Sequence, residues 1–168
     1  NSLRLVQAIA TAQFNREYIA LGSGAVLLGM AADQSVANTL GKGSGQTAAA
    51  FNALPYALAA GVGTAAVGMW GESARSTAYA SLSATTWALG TNLVAKTLLG
   101  RERPAAGQGP WEFTGPGSGS SQSSFASNHV TAAMALATPF AQRYNQPWLY
   151  GLVGLTALGR IQSQEHWV

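Results

Sequence analysis

The sequence predicts an all-α fold, a single helical domain over residues 1–168, on three observations. Apolar residues recur at helical spacing, and no run keeps the alternation of a half-buried strand. Gly and Pro punctuate the chain so that helix-length segments lie between them. The chain of 168 residues is 48% hydrophobic, enough for one core of real size and too little for two.

Taken in order, Leu3, Val6, Ile9 and Ala10 form a first apolar stripe. Residues 18–32 read as a second helix, entered through Asn15 as N-cap with Glu17 in its first turn. Residues 41–45 (Gly-Lys-Gly-Ser-Gly) make a turn by composition. Residues 47–54 predict a short helix broken near Pro55, followed by a Gly- and Ala-rich helix to about Trp70. Gly71 ends that segment, and residues 73–99 read as one long helix. From Gly100 to Phe125 three Pro and many Gly and Ser predict a long loop, and loops beyond about 12–15 residues inside a domain are usually functional or disordered. Helix resumes at Asn128 and runs to about Gln142, kinked at Pro139. A turn at residues 145–147 leads into a last helix over residues 148–159.

Composition excludes several functions. Charged residues make up 9% of the chain, against about 25% in an ordinary soluble domain, so this is no charge-rich disordered segment. The absence of cysteine removes a disulfide framework, a thiolate metal site and a Cys nucleophile. A net charge of +3 is too small for a polyanion-binding face, which excludes nucleic acid as partner. The basic residues are instead local: Lys96, Arg101 and Arg103 cluster, and Arg160 follows near the end, which suits one small anion. Residues 43–71 and 76–95 carry no charge, and both runs reach the roughly 20 residues of a membrane span. They are built from Ala, Gly, Ser and Thr, interrupted by Gln46, Asn52 and Asn92, at a mean hydropathy of +0.13. Small-residue helices packed closely together suit that composition best, with true membrane spans the second reading. The first residues carry no signal-peptide signature.

The chain has two histidines, His129 and His166. Ser127 is a natural N-cap, so the free N–H groups of Asn128 and His129 point out of a helix start, where an anion is favoured. An ordinary cap explains the same residues. Lys96 and Arg103 share a helix face if the helix persists, and Arg103, preceding Pro104, is pushed into extended backbone. Plain complementarity to the helix dipole accounts for Lys96, Arg101 and Arg103 equally well. In the loop, Trp111 and Phe113 either form an apolar lip or pack the loop down.

Three blocks bear on the histidines and the basic residues. Lys96-x6-Arg103-Pro104, then Ala126-Ser127-Asn128-His129, then Gly159-Arg160-x5-His166 resemble, in order, the signature of the type 2 phosphatidic acid phosphatase superfamily. That superfamily also holds bacterial class A acid phosphatases and vanadium haloperoxidases, and its pattern reads K-x6-R-P, P-S-G-H and S-R-x5-H-x3-D. Ala126 stands for its Pro, Asn128 for its Gly and Gly159 for its Ser, and its Asp would fall two residues beyond Val168.

The resemblance implies a helical bundle of the phosphatidic acid phosphatase and haloperoxidase type, with signature blocks at residues 96–104, 126–129 and 159–166. It implies an acid phosphatase or lipid phosphate phosphatase-like hydrolase, acting without metal or cofactor on a phosphate monoester or a pyrophosphate, lipid-linked ones included. His166 would be the nucleophile that becomes a phosphohistidine, and His129 the general acid. Lys96, Arg103 and Arg160 would hold the phosphate oxygens, with the Ser127 hydroxyl and the Asn128 N–H as neutral donors. Vanadate would inhibit. The alternatives are a haloperoxidase with vanadate as cofactor on His166, or a catalytically silent helical scaffold or binding protein. Partners would be a phosphorylated small molecule or lipid phosphate, with membrane association, in the periplasm or membrane of a bacterial cell envelope. On a continuous helix Arg160 and His166 would diverge by roughly 120°, so the last helix is expected to end soon after Arg160. The natural chain is expected to continue past Val168 with the missing Asp, which by resemblance orients His166. Glu165, about 100° away on such a helix, offers no substitute.

Overall fold

A computed structural model describes residues 31–36, 38–40, 45–107, 109–116 and 124–167. The stripe from Leu3 to Ala10, the Asn15 cap, most of the helix expected over residues 18–32 and residues 41–44 lie outside the described residues. Residues 31–36 and 38–40 are helical.

Helix α1 spans Gly45–Ala66 and runs through Pro55, so the short helix expected to break there does not exist. A proline inside a helix removes one N–H bond and crowds the carbonyl four residues back. Here Pro55 is itself buried, as are Ala48, Val62 and Ala65 on either side, and helices are held chiefly by tertiary burial of this kind. The helix also ends earlier than Trp70. Gly68 and Gly71 adopt φ +88° and +87°, angles open to glycine, and they form the turn into α2.

Helix α2 runs Glu72–Leu99 and stops at Gly100, which takes the left-handed conformation and bonds its N–H to the Lys96 carbonyl. The expected loop follows, with a 3-10 turn at Pro104–Ala106 and an isolated antiparallel bridge between Arg101 and Phe113. Helix α3 covers Asn128–Arg143 through Pro139, and α4 covers Leu149–Gln162, three residues past the end expected at Gly159. Among the described residues no strand occurs, so the fold is all-α.

The helices pack α2 along α3, α1 along α4 and α3 against α4. Two clusters fill the interior: Val62, Ala65, Ala74, Ala78 and Leu136, and Ala133, Ala137 and Val153. Alanine dominates both, so the helix backbones approach closely, and a buried hydroxyl joins two of them where Ser81 Oγ donates to the Leu136 carbonyl at 3.1 Å. Among the described residues no helix is long and apolar enough to cross a membrane.

Candidate functional site

Two helix ends meet at one end of the bundle. From α2 comes Lys96, only 3% exposed. After the Gly100 turn, Arg103 lies in extended backbone (φ −84°, ψ 154°), as its position before Pro104 requires. Helix α4 supplies Arg160 in its last turn and ends two residues later. Gln164 then takes φ +57°, and the N–H groups of Glu165 and His166 both reach back to the Arg160 carbonyl, at 3.2 and 3.4 Å. The chain therefore folds over Arg160 and returns His166 to it, as the divergence on a continuous helix demanded.

His166 is 5% exposed, and its Nδ1 lies 2.6 Å from the Ser124 carbonyl oxygen. A carbonyl can only accept, so Nδ1 carries the hydrogen and Nε2 is left with its lone pair. The acceptor expected from an Asp beyond Val168 has a counterpart here in the main chain. Ser124 is itself fastened: its N–H donates to the Arg101 carbonyl at 2.7 Å and its hydroxyl to the Glu102 carbonyl at 2.8 Å. Trp167 Nε1 donates to that same Glu102 carbonyl at 2.9 Å. Burial, and then the charges of Arg160, Lys96 and Arg103, hold the imidazole down to about 3 against the opposing pull of the Ser124 bond. His166 is thus a neutral base at neutral pH.

Of the basic residues, three act on one another. Burial first, then Arg103 and Arg160, bring Lys96 down to about 8. Burial lowers Arg160 as well, Arg103 adding to it and Glu165 opposing. Glu165 Oε2 pairs with Arg103 and lies 3.5 Å from the terminal nitrogen of Arg160, so one carboxylate oxygen serves two guanidinium groups. Among the described residues the Nε atoms of both arginines are buried without a hydrogen-bond partner. Arg101 leaves this group. It pairs with buried Asp33, donates through Nε to the Pro110 carbonyl at 2.9 Å, and its guanidinium carbon lies 6.0 and 5.9 Å from the ring centroids of Phe113 and Trp167. Phe113 thus lies against the Arg101 guanidinium, while both it and Trp111 remain exposed.

Ser127 caps α3, its hydroxyl accepting from the Val130 N–H at 3.5 Å while its own proton remains available to donate. His129 follows in the first turn, with Nε2 3.3 Å from the Tyr56 hydroxyl and its ring nearly perpendicular to the tyrosine ring, centroids 5.8 Å apart. Burial lowers its pKa, Arg160 lowers it further, and Glu165 opposes them, so the two charges reach it. Asn128 has helical backbone and needs no glycine. Its Oδ1 accepts from Asn92 Nδ2 at 2.7 Å, and Asn92 also bonds both main-chain groups of Ala126, tying α2 to the start of α3.

Gly159 has a steric reason of its own. A Cβ there would fall 2.7 Å from Phe51 Cβ, because α1 and α4 touch at this point, and a serine would not fit unchanged. Ser127, Arg160 and His166 also line an open cavity of about 830 Å³ whose walls include Ala84, Val130 and Met134. Among the described residues no group of three or more His, Asp or Glu is placed to hold a metal ion.

Tyr56, Asn92, Ser124 and Glu165 join the site without having been singled out for it. Only Asn92, a polar interruption in an uncharged helix, carried a usable signal. The structure brings together Lys96, Arg103, Arg160 and His166, with Ser127 and His129 beside them, and assigns the Asn128 side chain to bracing. Compared with protein-family profiles, with curated proteins and with solved structures, the chain shows no significant match.

Proposed function

We propose that the chain is a phosphohydrolase of the type 2 phosphatidic acid phosphatase kind, cleaving a phosphate monoester or pyrophosphate through a phosphohistidine at His166. The observation that carries this reading is His166 itself, neutral, fixed through Nδ1 on the Ser124 carbonyl and surrounded by the charges of Lys96, Arg103 and Arg160. A phosphate dianion repels nucleophiles until its charge is offset, and three fixed cations in a largely buried site do this.

In the reaction, His166 Nε2 forms a bond to phosphorus as the ester P–O bond breaks, and the leaving oxygen takes a proton from His129. The Ser124 carbonyl stabilises the positive charge that develops on the imidazole. Water then attacks the phosphohistidine, giving its proton to His129 and restoring Nε2. The pKa of His129 is lowered by burial and Arg160, and a bound dianion counters both by its charge, so substrate itself promotes the protonated acid. The apolar walls beside Arg160 and His166 suit the organic group of the ester. A place in the bacterial cell envelope belongs to the same proposal.

The test is phosphate release from an aryl phosphate, a soluble alkyl phosphate, a lipid phosphate and a pyrophosphate, with and without detergent. His166→Ala abolishes turnover and phosphoenzyme. His129→Ala slows the alkyl ester by about 10²–10⁴ and the activated aryl ester by less. Vanadate inhibits competitively and EDTA does not. Equal losses on both esters would remove His129 as the acid, and turnover retained in His166→Ala would remove the reading.

A further inference from the structure

Glu165 is a carboxylate in a seat built for a different anion. One of its oxygens pairs with Arg103 and approaches Arg160 Nη2 at 3.5 Å. A guanidinium receives a tetrahedral oxyanion through parallel N–H bonds, but here the carboxylate reaches only terminal nitrogens, and both Nε–H groups are buried without an acceptor among the described residues. The seat has more donors than Glu165 can satisfy. The Arg160 side chain is only 12% exposed, whereas that of Glu165 is 37% exposed and has a path to solvent. Glu165 also sits on the tight turn at Gln164, whose φ is +57°, next to His166, and not on a helix.

We propose that Glu165 is a built-in competitor for the phosphate seat. Its carboxylate neutralises Arg103 and Arg160 until an oxyanion displaces it toward solvent, and it returns as product phosphate leaves. This inference rests on the phosphate-site reading above and adds how that site is regulated. A carboxylate and a phosphate dianion cannot share the two arginines without strong repulsion, so Glu165 weakens phosphate binding whether it stays or moves.

The experiment is calorimetric titration of the wild type with inorganic phosphate and with vanadate, beside Glu165→Gln, Glu165→Asp and Arg160→Ala. Glu165→Gln tightens phosphate about tenfold or more, on the scale of one displaced charge-assisted pair. Glu165→Asp, one methylene shorter and unable to span both arginines, tightens it less. Unchanged or weaker binding in Glu165→Gln, with binding lost in Arg160→Ala, overturns the competitor and leaves the phosphate site standing: Glu165 would then be aligning the arginines. Phosphate binding indifferent to Arg160→Ala, or not detected in any of the proteins, overturns both. Should Glu165→Gln fail to fold, carboxyl-carbon NMR of the wild type during phosphate titration gives the answer. The Glu165 signal shifts and saturates with binding if it is displaced, and a stationary signal refutes displacement.

Discussion

Replacing Gly159 by alanine tests whether contact between α1 and α4 sets the geometry of the site. The new Cβ would lie 2.7 Å from Phe51 Cβ, 3.0 Å from Asn52 Oδ1 and 3.2 Å from the Ala48 carbonyl oxygen. Two of those atoms belong to or adjoin the backbone of α1, so relief requires the helices to part rather than a side chain to swing. Overpacking of this kind costs about 1–3 kcal/mol, and the rigidity of the neighbours argues for the upper half of that range. Against it stands the better helix propensity of alanine, about 1 kcal/mol. The net is a loss of about 1–2 kcal/mol, or about 2–8 °C in Tm for a chain of this length. Gly154, on the same helix, is the internal control: a Cβ there meets nothing within 4 Å, so Gly154→Ala stabilises by up to about 1 kcal/mol. Urea unfolding and thermal melts of both variants read the difference. If both are equally stabilised, the two helices are not in the contact described, and the steric account of why serine is excluded beside Arg160 fails.

Three further outcomes follow from buried charge. His166 titrates near 6.5 in an unfolded chain and at about 3 in the fold, so the unfolded state binds more protons between those values. Stability is therefore unaffected above pH 6.5 and falls below it, by about 2 kcal/mol from pH 7 to pH 5, and His166→Asn flattens this slope in denaturation experiments. Lys96, at about 8, loses its charge as pH rises through that value, so phosphate affinity drops above pH 8 in the wild type, while Lys96→Met binds more weakly at pH 7 and shows no such step. Asp33→Asn leaves Arg101 buried and unpaired, destabilising by about 3–5 kcal/mol, and the double variant with Arg101→Met recovers most of the loss in chemical denaturation.

Where local chemistry decides structure, the sequence was legible. Gly71 and Gly100 bracket α2 because each takes a positive φ, and Ser127 caps α3. Arg160 and His166 had to be separated by a turn because helical geometry leaves no other way to one anion. Pro55 misled, as burial on both sides carries a helix through a proline, whereas the helix expected to run through Pro139 does so. Glu165 could not be placed without knowing that Gln164 turns left-handed, which swings the carboxylate onto Arg103 and Arg160. Tyr56 reaches His129 across the bundle, and no local pattern encodes that. Arg101 looked like one more site cation until its partner Asp33 was seen.

The hold on His166 has a genetic consequence. Its acceptor is the carbonyl of residue 124, an atom every amino acid carries, so no codon change at that position can delete it. Substitution there removes the hydroxyl that fastens the loop to Glu102, proline alone also removes the N–H that bonds the Arg101 carbonyl, and a larger side chain has to fit a buried position. The orientation of the imidazole depends instead on the bonds that hold residue 124 to the Arg101 and Glu102 carbonyls. Every member of a saturation library at position 124 would thus keep the acceptor, and the losses would fall on proline and on side chains too large for the buried seat. Conventional point mutagenesis would overlook the component on which the tautomer of His166 depends.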